Sequence, residues 1–223
     1  MTYGQGNFKK GFTPRQGPEP TEFRLYKPYV GTGNQSPPDS VKERIKVIAA
    51  ELEKYGYILR TGGMDGTEDT FEKAAHYKEL HLPWRGFASK ESKMTFNSGS
   101  SLGIAKLYHS NFDNMKQTVQ AFLSKNVRLL YGNSLKSPAL FLLCWTEDGA
   151  ETMREKTNRT GPAGHAIAIA LSMRIPVFNL GKEDAEDRLR QYLDFENQGP
   201  CRGPVVKREK PNGQEKVPEL NNF

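Results

Sequence analysis

Cysteine is scarce in this sequence of 223 residues, which contains only Cys144 and Cys201. The first lies in an apolar run and the second in a polar segment. This placement argues against a disulfide framework and for a reducing compartment, the cytoplasm. No cysteine–histidine cluster has the spacing of a zinc site, so we expect neither a metal nor a cofactor.

Long apolar runs are also missing. No run approaches the roughly 18 apolar residues that a membrane helix needs, so we expect no membrane span and no membrane partner. Residues 1–10 contain no apolar segment of the kind found in secretory signals, so no such signal is expected.

Positive charge is not concentrated in the middle of the chain. The net charge is +6, and part of it falls in residues 1–22 and 197–223. The part between them is mildly basic, which permits a weak attraction to phosphates without indicating a strong nucleic-acid surface. Both end segments are rich in polar residues and proline or glycine. We predict a flexible N-terminal arm over 1–22 and a flexible basic tail over 197–223.

Residues 23–196 alternate strand and helix patterns. A capping box at Ser40 and Glu43 predicts a helix start, a second helix pattern covers 111–126, and the unbroken apolar run at 139–145 predicts a strand buried on both faces. Such alternation predicts an α/β fold, a Rossmann-like open parallel sheet with helices on both faces in a three-layer sandwich. Residues 85–108 are irregular, and an interior loop of that length is usually a lid or an error of assignment.

Glycine clusters follow three of the predicted strands. They lie at 31–33 after a strand at 25–30, at 62–66 after a strand at 57–60, and at 161–164 after the buried strand. In parallel sheets ligands bind beyond the carboxyl ends of the strands, and glycine lets the backbone amides approach a phosphate. We therefore predict one phosphate-binding pocket at this edge, formed by Gly31, Thr32, Gly33, Thr61, Gly62, Gly63, Gly66, Gly161, Gly164 and His165.

Familiar nucleotide motifs do not match these clusters. The segment Gly31–Ser36 lacks the third glycine of a dinucleotide fingerprint, and no acidic residue follows the second strand to bind a ribose. Gly66 is not followed by the lysine of a Walker loop, and no serine-hydrolase elbow occurs. NAD is therefore not expected.

Two segments resemble a known family. Tyr29-Val-Gly-Thr-Gly-Asn34 and Gly56-Tyr-Ile-Leu-Arg-Thr-Gly-Gly-Met-Asp-Gly-Thr-Glu-Asp69 are similar to the first half of the SLOG superfamily. This Rossmann-like group includes the DNA-processing protein DprA and the LOG-type nucleotide phosphoribohydrolases. The resemblance implies a protein that binds a nucleotide, a nucleotide-derived molecule or single-stranded DNA, with a role in DNA recombination, as a homodimer. The arrangement also resembles that of phage-encoded DprA-like proteins, for which the compartment would be the host cytoplasm.

The resemblance also implies two further ligand residues, Asp69 and Arg128. From the residues alone, the first-turn position of Asp69 favours a surface acid that complements the helix dipole, and Arg128 fits a solvated helix end equally well. The glutamate of the LOG-type enzymes has no counterpart in residues 166–170, so binding without turnover is favoured. If the protein is an N-glycosidase or a deoxyribosyltransferase, Asp65, or Glu147 with Asp148, must supply the acid–base chemistry. A protein that sequesters a nucleotide signal is a further alternative.

Overall fold

The computed structural model describes residues 26–95 and 98–198. The predicted arm at 1–22 and the part of the predicted tail beyond residue 198 lie outside the described residues. The described part contains five strands and six α-helices: β1 Lys27–Gly33, α1 Asp39–Lys54, β2 Tyr57–Thr61, α2 Thr67–Ala74, β3 Lys78–Leu80, α3 Gly99–Leu107, α4 Gln117–Tyr131, β4 Leu142–Trp145, α5 Ala163–Ser172, β5 Val177–Asn179 and α6 Ala185–Gln198.

The five strands form one parallel sheet in the order β3-β2-β1-β4-β5. The chain first builds outward from β1 to β3 and then returns to β1 to continue on its other side with β4. This reversal creates a crevice beyond the carboxyl ends of β1 and β4, where open α/β sheets bind their ligands. The predicted Rossmann-like parallel sheet is confirmed.

Helices cover both faces of the sheet. Val30, Leu142 and Cys144 pack on one face against α3, α4 and α5 in a single apolar cluster. Successive residues of a strand point to opposite faces, so Gly31 faces the other side. There an added Cβ would lie 2.6 Å from Phe71 of α2. The order helix layer, sheet, helix layer is the predicted sandwich.

Several element bounds differ from the sequence predictions. β1 extends to Gly33, so the first glycine cluster is the end of a strand rather than a loop after it. α1 begins at Asp39 after Pro38, with no capping side chain, so the predicted capping box at Ser40 is wrong. Pro38 precedes the first turn, where its fixed φ suits a helix start and its missing N–H costs nothing.

The largest differences lie between residues 85 and 131. The region predicted as irregular contains α3, and α4 runs over 117–131 instead of 111–126. Phe112 belongs to a separate short 3₁₀ turn. The second half of α4 is buried all round, between α3, α5 and the sheet, so it shows no amphipathic period that a sequence pattern could detect.

Within the described part of the chain, residues 183–198 belong to a separate compact unit, whose regular element is α6. The helix runs to Gln198, two residues beyond the predicted domain end at 196. Within this unit the guanidinium of Arg188 lies 2.9 Å from the carboxylate of Asp184, one turn earlier. No helix in the described ranges is long and apolar enough to span a bilayer.

Candidate functional site

A cleft of about 430 Å³ opens at the carboxyl edge of the sheet, at the crevice that the strand order creates. Four elements form its walls: the end of β1, the start of α2, the middle of α4 and the start of α5. The lining residues are Thr32, Gly33, Met64, Glu68, Tyr108, His109, Met115, Val119, Phe122, Leu123, Lys125, Asn126, Lys156, Gly161, Pro162, Ala163 and His165.

An ion pair forms the floor of this cleft. The ammonium of Lys125 lies 2.8 Å and 3.1 Å from the two carboxylate oxygens of Glu68, and both side chains are 2% exposed. Glu68 also accepts hydrogen bonds from the hydroxyl of Thr32 at 2.7 Å and from the backbone N–H of Met64 at 3.0 Å. Each carboxylate oxygen thus has two donors, so the charge of Lys125 is neutralised and Glu68 has no acceptor position left for a ligand.

Gly62 lets this pair form. A Cβ at that position would lie 2.2 Å from the nitrogen of Lys125 and 2.6 Å from a carboxylate oxygen of Glu68. The space that a side chain at Gly62 would fill is therefore occupied by the ion pair itself. The hydroxyl of Thr61 is likewise engaged inside the protein, because it donates to the carbonyl of Gly31 at 2.9 Å.

One carboxylate holds the loop that leads into α5. Asp148 accepts hydrogen bonds from the hydroxyls of Thr146 and Thr157, at 2.8 Å and 2.7 Å, and from the hydroxyl of Thr160. It also accepts from the backbone N–H of Ala150 at 3.2 Å. These donors hold the pKa of Asp148 well below its ordinary value, against the opposing effect of desolvation. The loop therefore places the amino end of α5 at the cleft.

His165 lies in the first turn of α5 and lines the cleft, but it is buried rather than free to change its charge. Its Nε2 donates to the carbonyl of Ala105 at 3.3 Å, because a carbonyl can only accept. Nδ1 is then an acceptor, and it has no partner among the described residues. Burial lowers the pKa of His165 to about 4, so the ring is neutral at physiological pH.

Lys156 supplies the positive charge at the α5 wall. A Cβ at Gly164 would lie 2.7 Å from its side-chain Cε, so the lysine crosses the first turn of α5. Within residues 26–95 and 98–198 its ammonium forms no ion pair. Asn126 lines the cleft as well, and in the same ranges its side chain forms no hydrogen bond.

The structure brings four of the predicted ligand residues to the cleft: Thr32, Gly33, Gly161 and His165. The other glycines mostly serve close packing of the protein itself. A Cβ at Gly66, where φ is +88°, would lie 2.0 Å from the carbonyl oxygen of Gln35, and one at Gly63 would lie 2.8 Å from Leu82. Their residue type thus has a structural explanation that needs no ligand.

The predicted acidic residues lie outside the cleft. Asp65 is exposed in the turn before α2. Asp69 pairs with Lys73 and Lys90, at 2.6 Å and 3.2 Å, on a different side of α2. Glu147 is 60% exposed, with its carboxylate 3.8 Å from the guanidinium of Arg159. Glu68 is the carboxylate that lines the cleft, and the sequence analysis did not single it out.

Arg128 is buried and binds backbone instead of facing the cleft. Its guanidinium donates to the carbonyl of Met94 at 2.8 Å and to that of Leu82 at 2.7 Å. These two carbonyls stand at the two ends of the loop that follows β3. Arg128 therefore closes this loop at its base and fixes it to α4.

The sequence contains a signal for one member of the floor pair: at helical spacing, Lys125 of α4 shares a face with the apolar residues Phe122 and Leu129. Among the described residues no group of three or more His, Cys, Asp or Glu side chains is placed to hold a metal ion.

Comparisons with known proteins give one similar structure. No protein-family model matches the chain, and no curated protein sequence matches it. Among solved structures, the chain is similar to DNA processing protein A from Helicobacter pylori, described for its unique single-stranded DNA binding mode. The two chains are 16% identical with a TM-score of 0.42, and the match covers 75% of this chain and 72% of that chain.

Proposed function

We propose that the protein binds a nucleotide in the cleft at the carboxyl edge of the sheet, either as a free molecule or as a unit of single-stranded DNA. The observation that carries the proposal is the contrast between two walls of one cavity. Lys156 and the amino end of α5 form a cationic wall, and Met115, Val119 and Phe122 form an apolar wall of the same cleft.

The cationic wall suits a phosphate. The first turn of a helix carries the positive end of the helix dipole, which attracts an anion. In α5 the N–H groups of Gly164 and His165 already donate to the carbonyls of Gly161 and Pro162, at 3.1 Å and 3.4 Å, so the dipole and Lys156 supply the attraction. Gly161 and Ala163 bring the backbone of this turn to the cleft, and Lys156 adds a full charge beside it. Lys125 contributes no net attraction because Glu68 neutralises it.

The apolar wall suits a nucleobase. Phe122, Met115 and Met64 offer an aromatic ring and two thioethers, which pack well against flat rings. Asn126 supplies a polar side chain at the same cavity. A volume of about 430 Å³ falls within the range of about 300–1,000 Å³ that is usual for small-molecule sites.

Calorimetric titration with the four deoxynucleoside monophosphates tests the proposal. We expect at least one to bind, its nucleoside to bind more weakly, and the affinity to fall as salt rises. Lys156→Ala should weaken binding roughly tenfold, which corresponds to about 1.4 kcal/mol for a charged phosphate contact. Lys136→Ala removes one exposed lysine outside the cleft and should leave binding unchanged. No heat with any nucleotide, or equal losses in both variants, would refute the proposal.

Turnover is not part of the proposal. The acid–base candidates Asp65 and Glu147 lie outside the cleft, and both oxygens of Glu68 are engaged by two donors each. Chromatography of the nucleotide after long incubation at high protein concentration checks this point. Intact nucleotide is expected, whereas free base would favour the N-glycosidase alternative. Very tight binding with unchanged ligand would favour sequestration of a nucleotide signal.

The remaining interpretations stay predictions from the sequence, the first three from the resemblance and the last from the cysteine content. They are the homodimer, the role in DNA recombination, the phage origin and the cytoplasmic location. Gel filtration with light scattering at several protein concentrations tests the homodimer directly.

A further inference from the structure

Three aromatic rings form a cluster at the edge of the cleft. Trp84, Phe87 and Phe122 contact one another edge to face, with ring centroids 5.1 Å, 5.2 Å and 5.3 Å apart. Phe122 lines the cleft, whereas Trp84 is 37% exposed. The cluster therefore extends from the wall of the proposed nucleotide site to the protein surface.

The turn that carries Trp84 has a strained backbone. Gly86, Ala88 and Ser89 have φ angles of +75°, +52° and +57°. The left-handed conformation costs a non-glycine residue about 1–2 kcal/mol, so residues 88 and 89 keep it only because their surroundings enforce it. Backbone hydrogen bonds close the turn, from Phe87 N to the carbonyl of Trp84 and from Ser89 N to that of Gly86.

The loop is also fixed to the body of the domain on two sides. Arg128 binds the carbonyls at both ends of it, as described above. Lys90 donates to Asp69 of α2 at 3.2 Å and to Glu72 of the same helix at 2.6 Å. Trp84 is therefore an exposed aromatic ring on a loop whose position is fixed by hydrogen bonds to α2 and α4.

Positive charge flanks the exposed ring. Arg85, the next residue in the sequence, lines a shallow groove together with Lys93, and both side chains are exposed. Neither forms an ion pair within the described ranges. Glu91 lines the same groove, and Lys90 is neutralised by its partners in α2, so the free charge of the groove is positive. An aromatic ring next to unpaired cations matches a nucleobase followed by its phosphate.

We propose that Trp84 and Arg85 form a second nucleobase site, and that the ligand of this protein is a single strand of nucleic acid with at least two nucleotides. One nucleotide occupies the cleft. The base of a neighbouring nucleotide stacks on Trp84, which contacts Phe122 on the cleft wall, while Arg85 and Lys93 contact the phosphates of the strand. This inference rests on the proposed function, because the first nucleotide is the one in the cleft.

Tryptophan fluorescence separates the two sites. The chain has two tryptophans, and Trp145 is 8% exposed in β4, so the Trp145→Phe protein reports on Trp84 alone. Oligothymidylate or oligodeoxyadenylate of about ten nucleotides, within the usual range of site sizes, should quench its emission. The monophosphates should bind without quenching, because they fill only the cleft.

Substitution of the ring tests its contribution. Trp84→Leu should weaken oligonucleotide binding by roughly 5- to 150-fold, the range found for one base–aromatic stack, and leave monophosphate binding unchanged. Trp84→Phe should restore most of the affinity. Tyr55→Leu removes an exposed aromatic ring directly after α1 and serves as the matched control. Thermal unfolding of each variant verifies that it folds.

The outcomes distinguish this inference from the proposed function. Monophosphate binding together with an oligonucleotide affinity that Trp84→Leu does not change, and with no quenching, overturns the second site and leaves the first intact. Absence of monophosphate binding overturns the proposed function itself. Quenching of Trp84 emission by the oligonucleotide, together with a loss of oligonucleotide affinity in Trp84→Leu measured by calorimetry, supports the second site.

Discussion

Lys125 and Glu68 form an ion pair inside the protein, with the nitrogen 2.8 Å from the nearer oxygen and each side chain 2% exposed. The pair joins α4 to the start of α2, and through Thr32 it joins both to β1. Three elements that are far apart in sequence therefore meet at one buried carboxylate. Its position at the floor of the cleft couples the shape of the site to the stability of the fold.

Removing one member of this pair should strongly destabilise the protein. We expect Lys125→Met to lower the free energy of unfolding by about 3–5 kcal/mol, because it leaves a buried carboxylate without its counter-charge. Adding Glu68→Gln to that variant should recover part of the loss. Urea denaturation measures the free energy of unfolding of the wild type, of Lys125→Met and of the double variant.

An exposed pair provides the control for this experiment. The ammonium of Lys46 lies 2.7 Å from Glu43, and the two side chains are 55% and 69% exposed. Lys46→Met should therefore change stability by less than about 1 kcal/mol. A comparable loss in Lys46→Met and Lys125→Met would contradict a special role for the buried pair.

Arg128 should control the mobility of the loop at residues 82–94. Lysine keeps the charge but has a single nitrogen, which cannot serve the carbonyls of Leu82 and Met94 in the forked geometry of a guanidinium. We expect Arg128→Lys to accelerate amide hydrogen exchange across this loop and to destabilise the fold by about 1–3 kcal/mol. Arg154→Lys, at an exposed position, is the control. Unchanged exchange in the loop would rule out the clamp.

Gly31 should be intolerant of a side chain for reasons of packing. A Cβ there would lie 2.6 Å from a ring atom of Phe71 and 2.8 Å from Leu59. We expect Gly31→Ala to destabilise the protein by about 1–3 kcal/mol, as overpacked cores do. Gly103 of α3 has open space around its Cβ position, so Gly103→Ala should stabilise by about 0.5–1 kcal/mol. If Gly31→Ala folds as stably as the wild type, the packing explanation is wrong.

His165 should stay neutral far below the ordinary pKa of imidazole. Burial lowers its pKa from 6.5 to about 4 in the folded state. The unfolded chain therefore takes up this proton first, so the contribution of His165 to stability is complete above pH 6.5 and is lost as the pH falls toward 4. The full loss is roughly 3 kcal/mol at 1.36 kcal/mol per pH unit. Its imidazole NMR signals should not shift between pH 8 and pH 5.5, whereas a midpoint near 6.5 would contradict burial.

The alternation of strand and helix patterns predicted the architecture because the spacing of apolar residues indicates which face of a strand or helix is buried. Val41, Ile45 and Ile48 repeat at helical spacing on α1, which covers the sheet with one face. α3 was not predicted and the bounds of α4 were predicted wrongly, because their sequences lack this spacing. α3 is short and rich in glycine and serine, and the second half of α4 is enclosed on every side, so neither has a contrast between an apolar and a polar face.

The glycine positions identified the correct edge of the sheet but not the chemistry at that edge. Gly33 and Gly161 line the cleft, whereas at Gly62 and Gly66 the missing side chain leaves room for other atoms of the protein itself. Glu68 could not be recognised, because an acid in the first turn of a helix ordinarily faces solvent and complements the dipole. Its burial depends on contacts with α4 that are remote in sequence.

The hydrogen bonds to Asp148 have a consequence for the proposed nucleotide site. Since Thr146, Thr157 and Thr160 already converge on this carboxylate, the first turn of α5 is held in place by the protein itself. Association at that wall then requires no prior folding of a segment, and little of the intrinsic affinity is lost to ordering entropy. The α5 wall would thus be preorganised for any phosphate, so selectivity among nucleotides would depend on the other lining residues of the cleft.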